Sequence, residues 1–313
     1  MQPSILISSA GAKIPLIDMA REASSRTQAK PRIVCGDSDP KALSAYFCDE
    51  FWVMKPLDDY QGNELLSEMK RKNIVLVVPT RDAELKFWAE KKDTYAESGI
   101  HVLVSETAAL KIALDKLEFT KWLRAMNMEF IETREEPIFD KDLHIVIKER
   151  FSEAPKNTLI NVLSSDSIAL STHHRNPIFQ EYIEGREISV DLWVHDSEHV
   201  DCLARTRDFI VDGEARVTSV FRNEAIHKIA KEIATGIGIL GPCVIQFIES
   251  KNGKFYPIEC NARIGGASTY SIKTEFDSLY VTICKILREQ PSNKLILENK
   301  STQVRVLKDY YFN

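Results

Sequence analysis

The chain contains no apolar run near the roughly 20 residues that a bilayer span requires. It has no internal repeat and no low-complexity stretch. Basic residues are not in excess: 41 Lys and Arg stand against 46 Asp and Glu, a net charge of −5. That balance argues against a nucleic-acid binder, which would carry a basic face. The six cysteines include no CxxC pair, and most have apolar neighbours, as in Ile33-Val34-Cys35. They read as buried free thiols in a reducing compartment. The seven histidines show no metal-ligand spacing with cysteine, and His173-His174 reads as a solvated loop. The first residues are too few and too poor in basic side chains for a signal peptide, so a cytoplasmic location is expected.

What is present is a chain of 313 residues, 44% hydrophobic, enough for about two domains with real cores. The first hundred residues alternate strand and helix. Short apolar runs at 4–9, 32–36, 73–79 and 100–105 are separated by helical patterns at 14–23, 63–71 and 83–98. The order predicts a parallel sheet with helices on both faces. Helical spacing continues over 107–127. Strands are then predicted at 143–148, 158–163, 177–183, 187–194, 200–208, 215–221, 241–248 and 254–261, with helices at 224–238 and 278–289. A parallel α/β region therefore precedes a region rich in antiparallel strands.

Most of the chemistry is concentrated in residues 244–268. Glu259 and Asn261 stand at i and i+2 on one predicted strand and share a face. The turn Lys251-Asn252-Gly253 makes the preceding strand its hairpin partner, which brings Gln246 to the same point. Oxygen ligands without His or Cys suit a hard cation such as Mg²⁺, which also takes phosphate oxygens and water. Arg263 follows, beside Gly265-Gly266, where its fork could meet a phosphoryl group. A polar hairpin edge is the ordinary alternative, but Glu259 sits between apolar neighbours, where a carboxylate needs a partner.

Three further segments carry polar chemistry. In 179–190 a strand ends in a short linker at Glu181, Tyr182 and Ile183, and Glu187 opens the next strand. Such a linker can pair with an adenine ring while the carboxylate binds ribose; an acidic turn is the plainer reading. Lys116 lies on a helix and Lys148 ends an apolar strand, where a solvated charge is the default for each. Arg205 and Arg207 share a strand face and could form an anion site or simple cross-strand ion pairs.

Taken in order, these residues resemble the ATP-grasp superfamily, in particular its carbamoyl-phosphate-synthase-like branch, over nearly the whole chain. The resemblance implies a parallel α/β pre-ATP-grasp domain over 1–105, with the Gly11 turn, Asp37 and the run 78–84 as its marks. It implies a two-subdomain ATP-grasp fold over 106–178 and 179–313. It assigns Lys116 and Lys148 to ATP phosphate, Glu181, Tyr182 and Ile183 to adenine, and Glu187 to ribose. Gln246, Glu259 and Asn261 become the Mg²⁺ ligands, with Mn²⁺ as a substitute, and Arg263, Lys148 and Arg205 the catalytic cations. The implied activity is ATP-dependent ligation of a small carboxylate to an amine or other nucleophile, without nucleic-acid or membrane partners; analogy allows a homodimer. Two departures stand out. The loop 149–157 has no glycine, so Arg150, Ser152 or Lys156 would have to replace backbone contacts to phosphate, and Ala262 stands where the family has proline. The glycine-free loop leaves open a nucleotide-binding module without ligase activity. A dinucleotide oxidoreductase is disfavoured, because the region near Gly11 lacks G-x-G-x-x-G.

Overall fold

A computed structural model of the chain describes residues 2–137, 142–151, 158–211, 214–292, 302–306 and 308–312. The first five strands are β1 (Ser4–Ser8), β2 (Arg32–Asp37), β3 (Glu50–Val53), β4 (Ile74–Pro79) and β5 (His101–Val102). They form one sheet in the order β3-β2-β1-β4-β5, and every pairing is parallel. Both faces are apolar, as a parallel sheet requires. Ile5, Ile7, Ile33 and Cys35 pack on one side with α1 (Ile14–Ser25), and Leu6, Val34 and Val77 on the other with α2 (Glu64–Arg71) and α3 (Asp82–Glu97). The expected run at 100–105 yields only the two-residue β5, and β3 was not expected from the sequence. Both lie at sheet edges, where pairing on one side demands a weaker pattern.

The helical pattern at 107–127 is two helices, α4 (Thr107–Ala113) and α5 (Lys116–Ala125). Asp115 makes the break: its carboxylate accepts from the N–H groups of Leu117 and Glu118 at 3.0 and 3.2 Å, capping α5. A four-stranded sheet follows, built from β6 (Thr133–Arg134), β7 (His144–Glu149), β8 (Leu159–Leu163) and β9 (Pro177–Glu181), with the short α6 (Ser167–Ser171). Its order is β6-β9-β7-β8.

The third sheet holds β10 (Gly185–Val194), β11 (Val200–Thr206), β12 (Phe209–Val211), β13 (Glu214–Phe221), β14 (Gly241–Ser250), β15 (Phe255–Asn261) and β16 (Thr302–Val304). The order is β12-β13-β11-β10-β14-β15, and β16 pairs with β13. One face, with Ile188, Val190, Ala204, Ile245 and Phe247, packs on α7 (Glu224–Ile237). The other is apolar at one end, where Trp193 and Leu203 meet Ile264 and Tyr270, and polar at the other. After β15 come α8 (Thr269–Ser271), a π-helical turn (Ile272–Phe276) and α9 (Ser278–Leu287). Four of the cysteines are buried, two are half-buried, and all six are free. Among the described residues no helix is long and apolar enough to cross a membrane.

Candidate active site

Antiparallel register puts directly opposed side chains on one face. Gln246 on β14 lies opposite Glu259 on β15, and Val244 lies opposite Asn261. Ser189 on β10 faces Gln246 on one side and Arg205 on the other. Glu187, Asp191, Gln246, Glu259 and Asn261 therefore share the polar face, as the i, i+2 spacing predicted.

Within that face Asn261 Nδ2 donates to Glu259 Oε1 at 2.7 Å, which turns the amide oxygen outward. Arg263 Nη2 approaches Asn261 Oδ1 at 3.4 Å. Across the cleft, Lys116 at the start of α5 places Nζ 3.8 Å from Glu259 Oε2. Lys148 on β7 is buried, and its ammonium donates to Gln180 Oε1 at 2.9 Å; Gln180 Nε2 in turn donates to Thr133. Two lysines from one side thus meet one carboxylate from the other. Burial alone would raise the Glu259 carboxyl, but Lys116, Lys148, the Asn261 amide and Arg263 together hold it below its ordinary value. Lys148 is pushed down to about 8, chiefly by burial and then by Lys116, with Glu259 and Glu187 opposing.

The linker between β9 and β10 crosses from the four-stranded to the seven-stranded sheet. Glu181 N–H donates to Glu132 O at 3.1 Å and Tyr182 N–H to His144 O at 3.0 Å, which fixes the crossing. Ile183, half-buried, follows with no backbone or side-chain acceptor for its N–H among the described residues. Glu187 is ion-paired to Arg207.

Three expected roles meet obstacles. Arg205 does not present a free fork: the residue is 4% exposed and its guanidinium clasps Asp191 at 2.9 and 3.2 Å. Asp191 also accepts from Ser268 at 2.8 Å and Ser271 at 2.6 Å. The structure places Arg205, expected among the catalytic cations, in a buried pair that ties the 263–271 loop to the sheet. Arg263 is clasped by Asp82 on α3, with Nε–Oδ1 at 2.8 Å. It keeps its place beside Asn261, with its charge shared across the two parts of the chain. Arg150 binds Asp115 through Nε and Nη2 at 2.7–2.9 Å, so this part of its guanidinium is engaged at the cap of α5. Ser152 and Lys156 lie outside the described residues. Asp191, Asp82 and Gln180 gave no sequence signal, since their value lies in partners distant in sequence.

A buried ion pair loses most when one partner is removed. Asp191→Ala leaves Arg205 charged and enclosed and is expected to cost about 3–5 kcal/mol. Denaturant unfolding reads this directly, and a loss under about 1 kcal/mol would contradict the buried pairing.

The donor set fits a hard cation only in part. Among the described residues no group of three or more His, Cys, Asp or Glu gathers to hold a metal. One carboxylate and two amides leave most of the coordination sphere to other oxygens. That matches a Mg²⁺ held jointly with phosphates and not in an all-protein cage.

A family model described as the PylC-like N-terminal domain matches residues 5–103. Another, described as ATP-grasp in the biosynthetic pathway with Ter operon, matches residues 173–310. No curated protein is matched by sequence. Among solved structures, the chain is similar to a biotin carboxylase–β,γ-ATP complex from Campylobacter jejuni, with TM-score 0.70, 13% identity, and coverage of 93% of this chain and 72% of that one. It is also similar to the biotin carboxylase domain dimer of Hydrogenobacter thermophilus 2-oxoglutarate carboxylase with MgADP, ADP and bicarbonate, with TM-score 0.70, 13% identity, and coverage of 94% and 72%. N5-carboxyaminoimidazole ribonucleotide synthetase from Thermus thermophilus gives TM-score 0.70, 15% identity, and coverage of 96% and 82%. At these identities the likeness is one of fold: a parallel α/β sheet followed by a four-stranded and a seven-stranded antiparallel sheet. The chain thus shares the fold of these structures, and its residues 173–310 match an ATP-grasp family model.

Proposed function

We propose that the chain is an ATP- and Mg²⁺-dependent ligase that activates a small carboxylate as an acyl phosphate for capture by an amine. The observation that carries this reading is the meeting of Lys116 and Lys148 with Glu259 across the cleft, beside Gln246 and Asn261. Such a site offers positive charge for phosphate and oxygen ligands for its metal on facing walls. Glu259, Asn261 and Gln246 would hold the Mg²⁺, which when bound supplies charge neutralisation at the phosphate oxygens. The linker 181–183 would receive adenine, and Glu187 the ribose.

The chemistry asks the protein for alignment and electrostatics. A substrate carboxylate oxygen bonds to the γ-phosphorus as the β–γ bridging bond breaks, and ADP leaves with the electron pair. The amine nitrogen then attacks the acyl carbon, phosphate departs, and the nitrogen loses a proton. Lys116 and Lys148 neutralise the transferring group from one side, with Arg263 beside the metal ligands.

The anchoring of Arg150 by Asp115 supports a second reading, a nucleotide-binding module that transfers nothing, because it removes one side-chain substitute for the missing loop glycines. An ATP-consumption screen over amino acids and small carboxylic acids, with amines as acceptors and mass spectrometry of the products, separates the two. The ligase reading predicts acid-dependent ADP release with a condensed product. ATP binding without ADP release across the whole panel would favour the module.

A further inference from the structure

Two thiols meet outside the cleft, on the α1 face of the parallel sheet. Cys35 on β2 is buried with Ile33, Ile17 and Ala20, and Cys48, half-buried, packs against the same cluster. The path of the chain brings them together. After β2 a 3₁₀ turn (Leu43–Tyr46) is held at the carboxyl end of β1, where the Ser44 N–H donates to Gly11 O at 2.9 Å. Because β2 and β3 are parallel, the chain must then return along β2 before β3 can begin. Asp49 marks the end of that return. Its N–H donates to Ile33 O at 2.9 Å, and its carboxylate accepts from the Ile33 N–H at 2.7 Å. Cys48 lies on the descent, where its sulfur and the Cys35 thiol share a hydrogen bond. Arg21 on α1 fixes the crossing: it donates to Phe47 O and stands 3.6 Å from Asp49 Oδ1.

The pair is asymmetric. The hydrogen bond from Cys35 holds the Cys48 thiol below its ordinary range, against partial burial and Asp49. Cys35 is pushed up, first by its hydrogen bond to Cys48 and then by burial. A partly exposed sulfur that ionises readily thus sits against an enclosed one that keeps its proton. The other cysteines lack this combination of features. Cys202, also half-buried, is pushed up to about 12 by burial. Cys243 and Cys260 share a hydrogen bond too, but both are enclosed in the core.

We propose that Cys35 and Cys48 form a redox modification site, oxidised by a hydroperoxide to a reversible disulfide. The Cys48 thiolate attacks one peroxide oxygen, the O–O bond breaks, and the second oxygen leaves with the electron pair as hydroxide. Cys48 becomes a sulfenic acid, which removes the thiolate that held the Cys35 proton. The Cys35 sulfur then attacks the Cys48 sulfur, the S–O bond breaks, and the departing hydroxide takes the Cys35 proton as water. The thiols are oxidised, the peroxide is reduced, and a dithiol reductant reverses the bridge. The bridge would close residues 36–47 into a loop whose Ser44 holds Gly11 and whose Phe47 ring lies 4.7 and 5.6 Å from those of Tyr310 and Phe312. The step uses no residue of the cleft.

The test is made on the full chain. Near neutral pH, iodoacetamide is expected to alkylate Cys48 in the folded protein at least about tenfold faster than Cys202. After brief exposure to hydrogen peroxide, the remaining thiols are blocked in denaturant and the chain is digested with trypsin, which cleaves at Lys41 between the two cysteines. Mass spectrometry should find the Cys35 peptide joined to the Cys48 peptide, and dithiothreitol should separate them. In Cys35→Ala, Cys48 should persist as a sulfenic acid that dimedone captures. Equal alkylation of Cys48 and Cys202 would overturn the assignment. So would absence of the joined peptides after peroxide, whether Cys48 stays a thiol or is oxidised alone.

Discussion

Glu259→Ala is expected to lower acid-dependent ADP release by about 10²–10³-fold, with the far-UV spectrum and unfolding cooperativity retained. Glu259 faces both Lys116 and Lys148, and its partner amide on Asn261 depends on it for orientation. Removing it takes away a metal ligand and leaves two ammonium groups without their counter-charge. The fold survives because Lys148 has an escape. Its affinity for a proton is already low, and losing Glu259 lowers it further, so the amine is expected to become neutral and not to force the cleft apart. Glu259→Gln is the sharper comparison. It preserves shape and one oxygen ligand but not charge, and should fall between wild type and Glu259→Ala. Turnover like that of wild type in either variant would remove Glu259 from the metal site.

Lys148→Met is expected to act in opposite directions on binding and on stability. In the folded chain Lys148 titrates at about 8, against a free lysine near 10.4. Below pH 8 both folded and unfolded chains carry the proton, and the folded chain bears the full cost of a buried ammonium. Between pH 8 and about 10.4, unfolding takes up a proton, so stability rises with pH; above that range the cost is gone. The cost removed by methionine is on the order of 3 kcal/mol at pH 7, offset by the lost hydrogen bond to Gln180. The stability of Lys148→Met relative to wild type should therefore be higher at pH 7 than at pH 10.5, by a few kcal/mol. ATP binding should move the other way. At pH 7 the variant should bind ATP at least about tenfold more weakly, and wild-type affinity should decline as pH rises past 8. Denaturant unfolding at the two pH values, paired with calorimetry, reads both. A pH-independent stability difference would place Lys148 in water and not in the cleft.

Much of this was legible in the sequence because it depends on short-range patterns. The alternation of apolar runs and helical spacing gave the parallel sheet, and i, i+2 spacing at 259 and 261 gave the shared face. What spacing left open has a common cause. Spacing alone left Arg205 and Arg207 open between an anion site and cross-strand ion pairs. Their fate was decided by Asp191 and Glu187, which lie 14 and 20 residues away and meet them only across paired strands. The place of Arg150 was hidden for the same reason, its partner Asp115 being 35 residues earlier. The edge strands β3, β12 and β16 carry three or four residues each, too short for a period to register.

The most direct measurement of the central claim is the electron paramagnetic resonance spectrum of Mn²⁺, as the substitute for Mg²⁺, titrated with ATP into wild type and into Gln246→Leu/Glu259→Ala/Asn261→Leu. If β14 and β15 build a seat for metal–triphosphate, wild type converts free Mn²⁺–ATP signal into a bound species, and the triple variant, folded by circular dichroism, leaves the signal free. Binding of Mn²⁺–ATP by the triple variant with the affinity of wild type would contradict the account.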